Sequence, residues 1–372
     1  MFTNLSRRTT MNRSWTISMI IPVYKGGIEF RRCLKSLAYL DPAPLEIIIV
    51  SDGDEESSRT ASEFHVTVIQ LPQRKGPAHA RNVGASQAKG DILFFVDADV
   101  AVPPNLLNRL TDAFNEPQNA TAVIGSYDCN PTAPGIVSQY KNLSHHYVHQ
   151  HSDENAATFW GACGAVRRDV FLLLGGFDER YRRPCVEDIE FGYRLRAAKY
   201  SIRLNKHLQV KHLKQWSLLS LLKSDIFDRG LPWTELVFRY RQFNNDLNLR
   251  YSDRISVVLT WSLLFSLIAS LVLVHLQIVT VFIATLLFVL NASLYRFFTA
   301  QRGIAFAAAA IPLHWLSFLY SGVAFAIGVI RYFGLTFPKF SSKSVQKPRQ
   351  PVSGQQINSL FSGPGKFPEG GA

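Results

Sequence analysis

From Ile255 to Tyr295 the chain carries no charged side chain. That length suits two apolar helices of about 20 residues each, enough for each to cross the hydrocarbon core of a bilayer. Helix is the expected form, because lipid offers no partner to an unpaired backbone amide or carbonyl. His275-Leu276-Gln277 reads as the turn, which gives segments 255–274 and 278–295. A second uncharged stretch, Gly303 to Ile330, gives a third segment over 304–330. Pro312 is a candidate bend in it, and Gly322, Ala324, Ala326 and Gly328 are small enough for close helix packing. Residues 255–330 therefore read as a transmembrane region in contact with membrane lipids.

Charge orients these segments. Arg250 and Arg254 precede the first, and Arg296 and Arg302 lie between the second and third. Basic flanks favour the cytoplasmic face of the cell membrane. Met1 to Asn12 is polar and basic, with no signal peptide evident. The preceding 250 residues are thus expected on the cytoplasmic side. Arg331, Lys339, Lys343, Lys347 and Arg349 also favour that side, whereas three full crossings would place them opposite. Either Gly303–Ile330 is re-entrant or interfacial, or the tail breaks the rule. The net charge of +12 comes with no helix-turn-helix or aromatic-interleaved basic pattern, so nucleic acid is not an expected partner. Cys33, Cys129, Cys163 and Cys185 are widely spaced and read as free thiols of a reducing compartment. Residues 1–14 read as a flexible start, and 339–372 as a basic, disordered tail.

The first hundred residues alternate strand and helix. Ile17 to Ile21 reads as a strand stopped by Pro22-Val23-Tyr24, and Ile28 to Leu40 as a helix with Phe30, Cys33, Leu34 and Leu37 on one face. Leu45 to Val50, Phe64 to Leu71 and Ile92 to Val96 read as further strands, with a helix over Gly76–Ala88. This pattern argues an α/β fold with a doubly wound, mainly parallel sheet. Tyr24, Asp52 and Asp97 each follow a strand's carboxyl end, where such sheets bind ligands. Asp97 and Asp99 are two apart, so in extended chain their carboxylates aim the same way. Hard oxygen ligands of this kind suit Mg²⁺ or Mn²⁺ on a substrate diphosphate.

Four segments in order resemble family 2 glycosyltransferases of the GT-A fold. They are Ile20-Ile21-Pro22-Val23-Tyr24, Ile48 to Gly53, Gly76 to Gly84, and Gly90-Asp91 through Asp97-Ala98-Asp99. The resemblance covers roughly residues 15–215, with a nucleotide and metal half over 15–100 and an acceptor half over 101–215. It implies nucleotide contacts from Pro22, Val23, Tyr24, Asp52, Arg81 and Asp97, and a divalent metal, Mn²⁺ or Mg²⁺, on Asp99. Ser51 stands where the family often has a first aspartate. Trp160, Gly161 and Ala162 are similar to the family's acceptor-side loop, and Glu187-Asp188 to its acidic pair, whose Asp serves as base. An inverting transfer needs such a carboxylate to take the acceptor hydroxyl's proton. Asp188 also opens a helix, where the dipole favours a negative charge. His212 follows a strand and matches the position of a late histidine that several GT-A enzymes use on the metal.

His145 to His151 holds several histidines, with His145 and His149 on one helix face, and reads as a mobile segment over the acceptor cleft rather than a metal site. Trp216 to Phe227 is amphipathic, and 216–250 reads as interfacial helices. Arg229 and Trp233 are separated, and no matching Gln stands upstream, so the Gln-x-x-Arg-Trp motif of processive synthases is absent. Trp233 is instead an acceptor-side candidate. These readings combine into a membrane-anchored, non-processive, inverting enzyme. It would move sugar from a nucleotide-diphosphate donor, a UDP-sugar first among them, to a lipid-linked or membrane-surface acceptor. Its place would be in cell-envelope, exopolysaccharide or glycoconjugate synthesis. A processive, exporting synthase and a non-catalytic nucleotide-sugar-binding scaffold are the alternatives.

Overall fold

The computed structural model describes residues 14–116, 120–241, 243, 247 and 250–334. Residues 1–13 and the tail expected over 339–372 lie outside that set. Met1–Val329 forms one compact unit; the second, Ile330–Ala372, contributes to the described residues only the last turn of the final helix and Gly334.

Four strands form the parallel half of the sheet: β1 (Ile17–Val23), β2 (Glu46–Ser51), β3 (Thr67–Gln70) and β4 (Ile92–Val96). Helices α1 (Gly27–Leu37), α2 (Glu55–Ala61) and α3 (Pro77–Gln87) connect them. Met19, Ile21 and Phe94 point into one core and Ile20, Leu93 and Phe95 into another. Both sheet faces are therefore covered, which is why these strands are continuous apolar runs rather than alternating ones. Phe30, Cys33, Leu34 and Leu37 are buried as the helical spacing of α1 requires.

The first strand does not stop at Pro22. It pairs Pro22 with Val50 and Val23 with Ser51, while on its other side pairing with β4 ends at Ile20. Pro22 thus sits beyond the last β4 pair, where its missing N–H costs no ladder bond. The third strand is shorter than its apolar run, because Phe64 and Val66 turn out of α2 before pairing starts.

The rest of the sheet mixes directions. After β5 (Val100–Ala101) and α4 (Leu106–Asn115) come β6 (Ala122–Tyr127), α5 (Ile136–Gln150), β7 (Cys163–Arg167), α6 (Arg168–Leu173), α7 (Glu187–Ala197) and β8 (Ile202–His212). The strand order is β3-β2-β1-β4-β7-β6-β8-β5, with β7 antiparallel to both neighbours and β8 parallel to β6. The chain leaves β4 through Asp97-Ala98-Asp99 and pairs again at once as β5, antiparallel to the end of β8.

Then come α8 (Leu218–Lys223), a π-helical turn over Ser224–Gly230 and α9 (Leu231–Tyr240). Four apolar helices follow: α10 (Tyr251–Ser270), α11 (Leu276–Leu290), α12 (Ala292–Arg302) and α13 (Ile304–Phe333). Of these, α10 and α13 are each long and apolar enough to cross a membrane. The pair α11–α12 bends by 62° at Asn291, so it forms either a broken third crossing or a re-entrant element. A helix break falls there, whereas α13 continues through Pro312 as one helix. Leu271, Val272, Ile278 and Phe282 leave most of their surface uncovered, as lipid-facing side chains do.

The His145–His151 segment is not a loose cover but the last turns of α5 and its C-terminal cap. His146 and His149 are buried, with Nδ1 at 2.7 Å from the Tyr127 carbonyl and 2.9 Å from the Gly125 carbonyl. Tyr140, Leu143 and Tyr147 of the same helix pack with Leu294, Tyr295 and Phe298 of α12. Tyr147 Oη also donates to Ser293 Oγ at 2.7 Å. This helix joins the sheet domain to the apolar helices.

Candidate active site

Register builds the first part of the site. Val100 pairs with His212, and Leu213 N–H donates to the Asp99 carbonyl at 2.8 Å. Asp99 and His212 are thereby brought together across more than a hundred residues of chain. His212 Nε2 lies 3.6 Å from Asp99 Oδ2. On the far side of the ring, Nδ1 lies 2.6 Å from Asn142 Oδ1, and the ring stacks on Tyr127 at 4.3 Å. With the amide oxygen facing Nδ1, Asn142 orients the ring so that Nε2 is the nitrogen that faces Asp99, the kind of support that metal-binding imidazoles receive. Two ligand atoms 3.6 Å apart suit one ion at about 2.1 Å from each. The donor set, one carboxylate and one imidazole, leaves room for diphosphate oxygens. Among the described residues no cluster of three or more such side chains forms a complete cage. The residues present therefore fit a divalent ion shared with substrate rather than a structural one.

Ion pairs build the second part. Arg81 of α3 is buried and donates from Nη2 to Asp97 Oδ1 at 2.7 Å and from Nη1 to Glu187 Oε1 at 2.8 Å. The other Glu187 oxygen accepts from Cys185 N–H at 2.9 Å. Burial opposes the guanidinium charge, but Asp97 and Glu187 outweigh it and hold Arg81 protonated more firmly than usual. Burial and the neighbouring Asp99 and Glu187 charges push the Asp97 carboxyl up, against Arg81. Asp99 shifts the other way. Burial disfavours its charge, but the His212 contact holds it below the usual carboxylate range.

Asp188 stands next to this network at the start of α7. Its Oδ2 accepts from Gly161 N–H at 2.9 Å and its Oδ1 from Ile189 N–H at 2.8 Å. A Cβ on Gly161 would lie 3.3 Å from the Arg81 guanidinium and 3.5 Å from Asp188 Cβ, so glycine permits the close approach. Burial and the adjacent Glu187 charge push the Asp188 carboxyl up to about 6. Such a carboxylate is ionised at neutral pH yet basic enough to accept a proton.

A cleft of about 430 Å³ is lined by Arg81, Asp97, Asp99, Glu187, Asp188 and His212 together. Trp160, Ala162 and Trp233 line it too, and Trp233 Nε1 donates to Tyr193 Oη at 3.1 Å. Pro22, Val23, Tyr24 and Asp52 do not line it. Pro22 and Val23 are buried in the end of β1. Tyr24 is partly exposed, with the Arg74 guanidinium 4.1 Å above its ring. Asp52 is buried, and its two oxygens accept from Lys75 N–H at 2.7 Å and Gly76 N–H at 2.8 Å. It pins the loop into α3, where Gly76 has a φ of 102° that other residues rarely adopt. Asn142 and Tyr127 carry no motif, and Arg229 was weighed only against the absent Gln-x-x-Arg-Trp motif; the fold brings all three to the cleft.

Residues 18–174 match the family model described as "Glycosyl transferase family 2". The domain built on this sheet belongs to that family, with the mixed α/β core of the GT-A fold ahead of C-terminal apolar helices long enough to span a membrane. The chain is similar to an uncharacterized glycosyltransferase of Haemophilus influenzae, at 27% identity over 178 residues, covering 47% of this chain and 60% of that protein. It is also similar to the uncharacterized glycosyltransferase YibD of Escherichia coli, at 36% identity over 106 residues, covering 27% of this chain and 30% of that protein. The chain thus matches less than two thirds of the length of each of these curated relatives. In fold it is similar to the mannosyltransferase PcManGT from Pyrobaculum calidifontis, solved in complex with GDP-Man and Mn²⁺. That match has a TM-score of 0.50 and 14% identity, and covers 87% of this chain and 89% of the other.

Proposed function

We propose that this chain is a membrane-anchored, inverting glycosyltransferase that moves a sugar from a nucleoside-diphosphate donor to a hydroxyl on a lipid-linked or membrane-surface acceptor. The observation that carries the reading is Asp188, a carboxylate with a raised pKa of about 6, in one cleft with Asp97, Asp99 and His212. Asp188 takes the proton of the acceptor hydroxyl as that oxygen attacks the anomeric carbon from the side opposite the diphosphate. The bond to the diphosphate breaks with its electron pair, and the transition state gains oxocarbenium character. Asp99 and His212 would hold a Mn²⁺ or Mg²⁺ ion, which when bound neutralises charge on the departing diphosphate. Arg81 holds Asp97 and Glu187 in place, and the Gly161 N–H hydrogen bond orients the Asp188 carboxylate. Trp160 and Trp233 offer apolar faces to the acceptor sugar. Pro22, Val23, Tyr24 and Asp52 shape the strand ends where base and ribose would lie.

Two crossings, α10 and α13, would return the chain to its starting side, in agreement with basic residues on both flanks of the region. This charge pattern supports a catalytic domain on the cytoplasmic side. A reporter fused to the C-terminus tests it: a cytoplasmic signal supports two crossings, a signal from the far side three.

A panel of nucleotide sugars, UDP-sugars first, titrated against the full-length protein with and without Mn²⁺ tests the reaction. Metal-dependent binding of at least one donor is expected. No binding of any donor, with a folded protein, overturns the reading.

A further inference from the structure

Tyr127 is the last residue of β6, and register sets it at the metal end of the cleft. It pairs with Val210, two residues before His212, so Tyr127 and His212 leave neighbouring strands on the same face. The phenol ring lies flat on the His212 ring, with centroids 4.3 Å apart and an angle of 11° between planes. It meets Trp160 almost at right angles, at 4.8 Å and 83°. His145 closes a third side at 4.7 Å. These three ring contacts fix the side chain, which is buried.

The hydroxyl is what they leave over. The Tyr127 carbonyl accepts from Ser126 Oγ at 2.8 Å and faces His146 Nδ1 at 2.7 Å, whereas Oη makes no hydrogen bond among the described residues. It is not sealed in either, so it opens onto the cleft that the residue lines. Buried tyrosine hydroxyls usually have a partner. Burial, followed by the Asp99 and Asp97 charges, pushes this hydroxyl well above its ordinary range and keeps its proton on it.

The wall around it runs in a fixed order. His212 faces Asp99, Tyr127 stacks on His212, and Trp160 stands against Tyr127. Beside Trp160, Gly161 N–H binds Asp188 Oδ2 at 2.9 Å. A donor poised for attack spans the same interval, with its diphosphate at the metal end and its anomeric carbon toward Asp188. Its sugar ring then lies against Tyr127 and Trp160. The wall there is uncharged, since burial holds His149, 5.1 Å from Trp160, down at about 4. Neutral rings with one open hydroxyl suit a sugar's apolar face and one of its own hydroxyls.

We propose that Tyr127 determines donor-sugar specificity, its hydroxyl bonding one hydroxyl of the donor sugar while its ring holds His212 toward Asp99. This deepens the glycosyltransferase reading, on which it rests. A donor lacking that sugar hydroxyl, or presenting it in the wrong configuration, leaves Tyr127 Oη unpaired and binds less well.

UDP-glucose, UDP-galactose, UDP-N-acetylglucosamine and GDP-mannose, with free UDP and GDP, are titrated in Mn²⁺ against full-length wild type, Tyr127→Phe and Tyr127→Leu. The sugar nucleotide that wild type binds best is compared with its own free nucleoside diphosphate. Tyr127→Phe keeps the ring and should weaken that sugar nucleotide by about 2- to 10-fold, the range of one hydrogen bond, while the free nucleotide binds as before. The preference for that sugar over the others should narrow in the same variant. Tyr127→Leu also removes the stack, so the free nucleotide should lose part of its Mn²⁺ dependence. Thermal melting establishes that each variant is folded. Equal losses for sugar nucleotide and free nucleotide in Tyr127→Phe put the hydroxyl on the diphosphate and overturn the proposal, as does no loss for either. Undiminished Mn²⁺ dependence in a folded Tyr127→Leu overturns the positioning of His212. Donor binding by wild type with a silent Tyr127→Phe removes this assignment alone; no donor binding by folded wild type removes the glycosyltransferase reading and this assignment with it.

Discussion

The region around the cleft has two halves, built by different means. The half on β1, β2 and β4 uses strand ends and local backbone. Asp52 is held by two consecutive amides, and Asp97 and Asp99 follow directly from a buried strand. The half that meets the membrane helices uses contacts between residues far apart in the chain: Arg81 to Glu187, Asn142 to His212, Lys141 to Asp225, Tyr147 to Ser293. Strand-end sites need only the right residue after the right run. Sites made by packing need the whole domain in place, so their residues have no signature of their own.

That contrast can be broken by mutation. The largest effect is expected at Asp188. Asp188→Asn should lower transfer by about 10²- to 10⁴-fold while donor binding persists, because a positioned base contributes that much. Unchanged turnover would remove Asp188 as the base. Transfer by the wild type should fall as the pH drops below about 6, where the carboxyl protonates. Stability follows the opposite sign. The folded-state value lies above the ordinary 3.8, so folding favours the protonated form. Its contribution is whole below about pH 4 and is lost as pH rises through 6. The stability difference between Asp188→Asn and wild type should therefore move toward the variant by about 2 kcal/mol between pH 4 and pH 7. Thermal unfolding at the two pH values reads this directly.

Arg81→Met comes next. It leaves Asp97 and Glu187 buried without their cation, which should cost about 3–5 kcal/mol. A denaturation midpoint near that of wild type would show that the two carboxylates find water or protons instead. At the proposed metal position, His212→Ala and Asn142→Ala should each weaken Mn²⁺-dependent donor binding by about 10- to 100-fold. Metal-independent binding should be unchanged in both. An Asn142→Ala protein with normal Mn²⁺ dependence would reduce Asn142 to a packing role.

On the strand-end side, Asp52→Ala strands two buried amides and should cost about 1–3 kcal/mol. If the lost stability returns with bound donor, Asp52 acts on loop and ligand together. The smallest effect is expected at the joint. Tyr147→Phe removes one hydrogen bond to Ser293 and should cost about 0.5–1.5 kcal/mol without altering donor binding. A larger loss would mean that α5 couples the two regions rather than only joining them.

The sequence alone determined the strand-end part of this protein. Continuous apolar runs followed by Tyr24, Asp52 and Asp97 predict a covered parallel sheet with polar groups at one edge, because strand geometry and burial on both faces act locally. The long uncharged stretches likewise specify apolar helices, since length and hydropathy are sums over neighbours. Pro22 misled because its effect depends on where β4 stops pairing, and Asn291 escaped notice because a helix bend depends on what it packs against. The histidine-rich helix was read as a cover because its partners, the Gly125 and Tyr127 carbonyls and α12, are remote in sequence. Only the tertiary structure decided that His212 meets Asp99 and that Arg81 ties Asp97 to Glu187. Each of those depends on register and packing between distant segments, and neither is encoded in the spacing of any one motif.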